Sequence, residues 1–143
     1  MIFSNYFNLY FTGDEHLDFF TQQSLLLNPD CYLKALIYTL GLCSDTRRRF
    51  NSIYIAKERC IAPETLYSAW QTGSSLKVTR LAFQLFTDTT PSAFSHANPD
   101  LDECRRYSVS DIFSCGYAPF FAEAIKLRYP EYMTASVVRF SSD

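Results

Sequence analysis

Residues 70–86 read WQTGSSLKVTRLAFQLF, a polar turn followed by an amphipathic segment. Apolar side chains recur at i, i+3, i+4, i+7 and i+8, which is the spacing of one helical face. They are Val78, Leu81, Ala82, Leu85 and Phe86. The pattern predicts a helix from about Ser74 to Thr87 that packs against the rest of the protein through this face.

The segments before this helix are also helical by pattern. A first helix is predicted from about Asp14 to Leu27, because two acids lie in its first turn, where the helix dipole favours them. The next segment has one apolar stripe and is predicted to stop near Gly41. That stripe consists of Leu33, Leu36, Ile37 and Leu40.

The remaining elements follow from capping residues and prolines. Ser44 is the predicted N-cap of a third helix, and Pro63 suits the first position of a short helix reaching Trp70. A final helix is predicted from about Pro119 to Tyr129, because Pro130 disfavours helical geometry in the residue before it. Phe50, Ile53 and Tyr54 are the predicted buried side of the third helix.

The fold class that we predict is mainly α, a single compact domain over residues 1–143 with about five or six helices. Residues 88–108 have no apolar period and are predicted as one long loop, and residues 135–140 as a short strand or extended arm in a C-terminal tail. Hydrophobic residues make up 48% of the 143, enough for a sizeable core. Aromatic residues reach 17%, which indicates either a core of large rings or a surface for a partner.

Cysteine spacing and the length of the apolar runs exclude some classes of protein. The chain has no Cys-x-x-Cys pair, and His16 and His96 lie far from any cysteine in sequence, so no zinc site and no cofactor is predicted. The start does not resemble a signal peptide, and no apolar run approaches the roughly 20 residues that span a bilayer. We therefore expect a cytoplasmic protein with reduced thiols and no membrane partner.

Charge is distributed unevenly along the chain. Residues 34–80 hold eight basic and three acidic side chains, whereas both flanking segments are net acidic. This distribution indicates either internal pairing or a local positive face. With a net charge of −2, the chain is unlike a general nucleic-acid coat protein, which is usually basic overall.

The turn before the helix at 74–87 is the first candidate anion site. Thr72, Gly73, Ser74 and Ser75 combine hydroxyls with N–H groups at a helix N-terminus, which attracts phosphate or carboxylate. Lys77, Arg80 and Gln84 extend a polar face from it. A cation in a first turn is disfavoured by about 0.3–1 kcal/mol, and a bound anion or an acid from elsewhere in the chain would remove that conflict. The alternative is an ordinary capped helix with a solvated basic face.

Arg47, Arg48 and Arg49 form the second basic group. Successive helical residues are about 100° apart, so we expect one or two to reach a common site with Lys77 or Arg80 and another to be solvated or paired with Asp45. Trp70 is either a stacking platform for a base or a core ring under the turn. The predicted anion- or partner-binding residues are Arg47, Arg48, Trp70, Gln71, Thr72, Ser74, Lys77 and Arg80.

No catalytic or metal-ligating residue is predicted. Asp100, Asp102 and Glu103 resemble part of a two-metal nuclease site, but no further paired acids support one. Nothing marks a nucleophile elbow or a Cys–His pair.

Five short sequence segments resemble those of an uncharacterised family of small proteins from Gram-positive, Clostridia-like bacteria and their mobile elements. The resemblance spans residues 6–132, and its segments are YLKALIYTLG (32–41), DTR (45–47), AWQTGS (69–74), TRLAF (79–83) and LRYPEY (127–132). It implies no activity. It implies a context in which small proteins often act by binding, including as inhibitors of host defence.

Three functional hypotheses follow. The first is a non-catalytic protein whose basic helix-N-terminus face holds an anionic partner, either an acidic protein surface or a phosphate-bearing small molecule. Its sharper form is an inhibitor of bacterial defence. The alternatives are a nucleic-acid-binding protein with Trp70 or tyrosine rings stacked on bases, and a metal-dependent enzyme on a phosphate-containing substrate with residues 88–108 as a lid. The sequence leaves the oligomeric state open.

Overall fold

Helix α2, Cys31–Leu40, lies at the centre of the fold. The structure is a computed structural model that describes residues 9–92 and 101–133. Leu36, Ile37, Tyr38 and Leu40 are fully buried, because α2 is covered on several sides. Helices α5 (Gly73–Thr87) and α8 (Ala118–Arg128) pack along it, and α1 (Asp14–Leu27) packs on another side.

Short elements connect these four helices. A two-stranded antiparallel hairpin pairs β1 (Tyr54–Ile55) with β2 (Cys60–Ile61), and a 3-10 helix follows at Pro63–Tyr67. The other helices are about one turn long: α3 (Ser44–Arg48), α4 (Phe50–Ile53), α6 (Leu101–Arg105), α7 (Val109–Ile112) and α9 (Pro130–Met133).

The mainly α class is confirmed. The bounds of α1 match the predicted ones, α2 ends before Gly41, and α5 begins one residue before the predicted start. The predicted face of α5 is buried except for Phe86, which is half-buried.

Two local predictions are corrected. Ser44 is the first residue of α3, and Cys43 occupies the N-cap position with no side-chain cap bond. The third helix also stops at Arg48, and a new turn, α4, runs only to Ile53. Tyr54 and Ile55 are instead in β1, because aromatic and β-branched residues favour a paired strand. Phe50, Ile53 and Tyr54 are nevertheless buried, as predicted.

The predicted loop at 88–108 contains a helix. Residues 101–105 form α6, and residues 93–100 lie outside the described residues, as does the predicted tail at 135–140.

Many of the aromatic rings build the core. Phe20, Tyr38, Phe83 and Phe121 are almost fully buried. The rings meet edge to face, as Phe20 and Tyr38 do at 6.1 Å between centroids. Tyr10 and Tyr132 are largely exposed.

Arg128 fixes the C-terminal end of α5. Its Nε donates to the carbonyl of Leu85 at 2.9 Å, and its Nη2 donates to both carboxylate oxygens of Asp88 at 2.9 and 3.0 Å. The guanidinium carbon is 3.5 Å from the ring centroid of Tyr32 and 4.6 Å from that of Tyr129. Every face of this buried cation therefore has a partner.

Candidate anion-binding site

The turn that opens α5 is held together by its own side chains. The Ser75 N–H donates to Thr72 Oγ1 at 3.1 Å and the Thr72 N–H donates to Ser75 Oγ at 2.7 Å, a reciprocal capping box. Gln71 accepts from the Ser75 hydroxyl and donates to Thr65 O and to Thr79 Oγ1. Thr72 and Ser74 are exposed, whereas the amide of Gln71 points back into the protein.

Lys77 is engaged by the end of α7. Its Nζ donates to the carbonyls of Asp111 at 2.8 Å and Ser114 at 3.2 Å, and to Ser114 Oγ at 2.7 Å. The carboxylate of Asp111 is 3.8 Å away. A cation is favourable at these C-terminal carbonyls, so an acid and a helix end from elsewhere in the chain offset its unfavourable place in the first turn of α5.

The three successive arginines have different main contacts, although Arg49 also lies 3.9 Å from the Asp45 carboxylate that pairs with Arg48. Arg47 donates to Gly41 O at 2.7 Å and pairs with Glu15 at 3.0 Å. Arg48 is mostly exposed and pairs with Asp45 at 2.9 Å, as predicted for one of the three. The guanidinium of Arg49 lies 4.9 Å from the ring centroid of Trp70, and that half-buried ring packs against the core.

Arg80 differs from the other predicted cations. It is 5% exposed, and its Nε has no hydrogen-bond partner in the part of the chain that the structure describes. None of the ion pairs between described residues involves Arg80. A buried donor without an acceptor costs about 1–3 kcal/mol, so the described residues leave the Arg80 Nε–H at an energetic disadvantage.

Tyr107, in the turn after α6, lies near Arg80, and Tyr67 of the 3-10 helix is hydrogen-bonded to Glu103 of α6. The guanidinium carbon is 6.0 Å from the ring centroid of Tyr107, and the Tyr67 hydroxyl donates to Glu103 Oε2 at 2.7 Å. Glu103 Oε1 is buried and, among residues 9–92 and 101–133, has no hydrogen-bond partner. We call Arg80, Glu103, Tyr67 and Tyr107 the Arg80 cluster. Arg80 is among the residues predicted from the sequence and the two tyrosines are not, because spacing along α5 says nothing about residues that come from distant segments.

The tyrosines in this cluster respond to both charges. Burial raises the pKa of the Tyr107 hydroxyl, while Arg80 lowers it and Glu103 raises it. Burial also raises the pKa of Tyr67, the hydrogen bond to Glu103 raises it further, and Arg80 lowers it. Arg80 and Glu103 therefore act electrostatically on the same two phenols.

His16 is a structural histidine. It is fully buried, its Nδ1 accepts from the Thr12 N–H at 3.2 Å, and its Nε2 therefore carries the hydrogen that is donated to Tyr38 O at 2.8 Å. Burial lowers its pKa to about 4. The ring is neutral near pH 7 and has no free nitrogen for catalysis.

We expect acid to destabilise the fold through His16. The unfolded chain binds a proton near pH 6.5 and the folded chain only near pH 4, so this stability is complete above pH 6.5 and is lost as the pH falls towards 4. The loss amounts to about 3 kcal/mol. Urea unfolding at several pH values measures it, and His16→Gln should show a flatter pH slope. Equal slopes in both proteins would contradict this role.

The described surface includes a groove and a second concave region. A groove of about 390 Å³ between α5, α7 and α8 is lined mainly by apolar side chains, including Leu85, Ile112 and Ile125. A second hollow, of about 410 Å³, is lined by residues near the start of α1 with Arg47 and Tyr117.

No metal-binding group occurs in the described ranges, where no three His, Cys, Asp or Glu side chains are clustered to hold an ion. Asp100, one of the three acids weighed as metal ligands, lies outside them. Cys31, Cys43, Cys60, Cys104 and Cys115 are free thiols. None of the described helices is both long and apolar enough to cross a bilayer.

The comparisons with known proteins agree with the resemblance seen in the sequence. The model of a family described as "Family of unknown function (DUF6075)" matches residues 6–139. No curated protein and no solved structure matches the chain. An uncharacterised family is therefore confirmed, while the bacterial origin stays a prediction. Because the match spans most of the chain, the protein belongs to the DUF6075 family of unknown function.

Proposed function

We propose that this protein is a non-catalytic binding protein that holds an anionic group, a carboxylate or a phosphate, at Arg80. The observation that carries the proposal is the buried guanidinium whose Nε has no hydrogen-bond partner among the described residues. Guanidinium forks suit carboxylate and phosphate, and a buried cation that the fold itself does not pair is best explained by a ligand that does.

Arg128 is a second buried arginine of the same protein with which Arg80 can be compared. It is as buried as Arg80, at 6% exposure, yet it has hydrogen bonds to Leu85 and Asp88. A purely structural arginine in this protein thus has a complete set of partners. Among the described residues, Arg80 Nε has no hydrogen-bond partner and the ring centroid of Tyr107 lies 6.0 Å from the guanidinium carbon, which supports a binding role.

Replacing Arg80 by methionine is expected to stabilise the ligand-free protein, by about 1–3 kcal/mol, because an apolar side chain of similar size removes an unpaired buried charge. Arg128→Met is the matched control and should destabilise the protein. Urea unfolding followed by circular dichroism measures both. Destabilisation by Arg80→Met would mean that the chain itself pairs Arg80, and would overturn the proposal.

Binding is tested with simple anions. Sodium acetate and sodium phosphate are titrated at constant ionic strength, with sodium chloride as the control, while the arginine Nε–H signals are followed by NMR. We expect saturable shifts of the Arg80 signal in the wild-type protein and none of the Arg128 signal. If acetate and phosphate both shifted the Arg80 signal linearly and by the same amount as chloride, an anion site would be contradicted.

The other predicted binding residues stay predictions; they are Arg47, Arg48, Trp70, Gln71, Thr72, Ser74 and Lys77. The cytoplasmic location and the role as an inhibitor of bacterial defence also stay predictions. Native mass spectrometry of the protein isolated gently from a Gram-positive host addresses the partner. A co-purifying protein in stoichiometric amount would support the inhibitor, and a small mass released on denaturation would support a ligand binder.

A further inference from the structure

We propose that the groove between α5, α7 and α8 is the docking site of a segment of the same chain, residues 134–140, which we call segment 134–140. The inference does not depend on the anion site at Arg80. Segment 134–140 lies outside the described residues, so the proposal rests on the groove, on the place where α9 ends and on the sequence that follows it.

The groove is apolar and only partly covered by the described residues. Leu81 and Leu85 of α5 line it and are buried. Val109 of α7 is 74% exposed, and Ile125 and Tyr129 are half-buried. A concave apolar surface of this kind gains free energy when another apolar group removes it from water. The exposed side of Val109 marks where such a group would lie.

The chain leaves α9 close to this groove. Tyr129 lines the groove and α9 follows it directly, with the Met133 N–H donating to Tyr129 O at 3.1 Å. Residues 134–140 can span at most about 23–25 Å when extended. The lining positions of α5, from Asp88 to Leu81, extend over only about 10 Å. Segment 134–140 is therefore long enough to run the length of the groove.

The sequence of segment 134–140, TASVVRF, suits an apolar groove. It has apolar side chains at Val137, Val138 and Phe140, and β-branched valines favour an extended backbone. In an extended chain alternate side chains share a face, so Val138 and Phe140 would point the same way. The match to the DUF6075 family also extends to residue 139, so most of the segment belongs to the sequence that the family shares.

Charge complementarity favours this segment over an unrelated apolar group. Asp88 is the one charged side chain among the described residues that line the groove, and Arg139 is the one charged residue of segment 134–140. The Asp88 side chain is 49% exposed although both its oxygens accept from Arg128, so the carboxylate can accept from a second guanidinium. Such a solvated pair is weak, so Arg139 orients the segment and the apolar contacts hold it.

Trypsin cleavage after Arg139 in the full chain tests the proposal, because a docked segment is cleaved only when it leaves the groove. The cleavage rate is measured by mass spectrometry as loss of the piece that begins at Phe140. The reference is a synthetic peptide of residues 130–143. We expect cleavage to be roughly tenfold slower in the protein than in the peptide, which corresponds to a segment that is docked about 90% of the time.

Two variants remove apolar contacts from the two sides of the proposed interface. Phe140→Ser should bring the rate up to that of a peptide with the same substitution. Val109→Asn should raise the rate roughly threefold or more. The matched control is Ser110→Asn, at an exposed position of α7 that does not line the groove, and it should leave the rate unchanged. Phe140→Ser lies outside the described helices, so it keeps the test valid even if a change in α7 disturbs the fold.

Equal cleavage rates for the wild-type protein and the peptide would overturn the proposal. A slow rate that neither Phe140→Ser nor Val109→Asn changes would also overturn it, because the segment would then be protected somewhere else. Dilution of the protein separates one chain from two. A rate that does not depend on protein concentration supports docking within the chain. A rate that rises on dilution would mean that the segment occupies the groove of a second copy, and docking within the chain would be wrong.

Discussion

Arg128→Met is expected to lower the free energy of unfolding by about 2–4 kcal/mol. Methionine keeps much of the volume between Tyr32 and Tyr129 but has no donors. The carbonyl of Leu85 and the carboxylate of Asp88 would lose their hydrogen bonds, and the end of α5 would lose its attachment to α8. Asp88 is half-exposed and can be rehydrated, which keeps the loss below that of a fully buried pair.

The control is an arginine whose ion pair is solvated. Arg105 pairs with Asp102 at 3.6 Å, and both side chains are mostly exposed. Arg105→Met should change the unfolding free energy by less than about 0.5 kcal/mol, because surface pairs contribute little. Equal losses for Arg105→Met and Arg128→Met would show that the contacts of Arg128 do not hold α5 in place.

Arg80→Met is expected to raise the free energy of unfolding and Arg128→Met to lower it. The sequence alone does not predict this difference. Both arginines lie in helices beside apolar stripes, and nothing in their spacing separates them. Arg128 finds Asp88, 40 residues away, whereas Arg80 lies beside Tyr107 and is in none of the ion pairs between described residues. Which cation is paired depends on contacts between distant segments, and those are set by packing.

Local signals predicted most of the helices. The bounds of α1 match the predicted ones; Asn28, in the left-handed region, ends α1, and Asp30 is the N-cap of α2. The one-turn helices were harder to predict because four or five residues are too few to show a helical period. After α4, residues 54 and 55 pair with β2 as strand β1, so the helix does not continue through them.

The surroundings of Lys77 and Arg80 could not be predicted from their spacing along the chain. Lys77 and Arg80 are three residues apart on α5, and their spacing predicts one polar face, either anion-binding or solvated. Lys77 instead reaches Ser114, 37 residues later, and Arg80 is buried beside Tyr107. Helical spacing gives the direction of a side chain from its own helix, and it does not reveal that α7 and Tyr107 cover that direction.

Gly41→Ala is expected to destabilise the protein by about 1–3 kcal/mol through overpacking. Gly41 was predicted as a helix stop, yet its φ of −75° is open to any residue, so the reason for glycine is space. A Cβ atom would lie 2.7 Å from Phe19 Cδ1 and 2.8 Å from His16 Cδ2. His16 is held by hydrogen bonds at both nitrogens, so α1 must move away from α2 to make room.

Gly73→Ala is the matched control for this prediction. Gly73 is the first residue of α5, and an added Cβ would meet nothing within 4 Å. Alanine should be neutral there or stabilise by up to about 1 kcal/mol, because it restricts the unfolded chain at a helical position. If Gly41→Ala were as well tolerated as Gly73→Ala in urea unfolding, α1 would not be tightly packed at Gly41. The burial that keeps His16 neutral depends on that packing, so the acid sensitivity expected from His16 should then be weak as well.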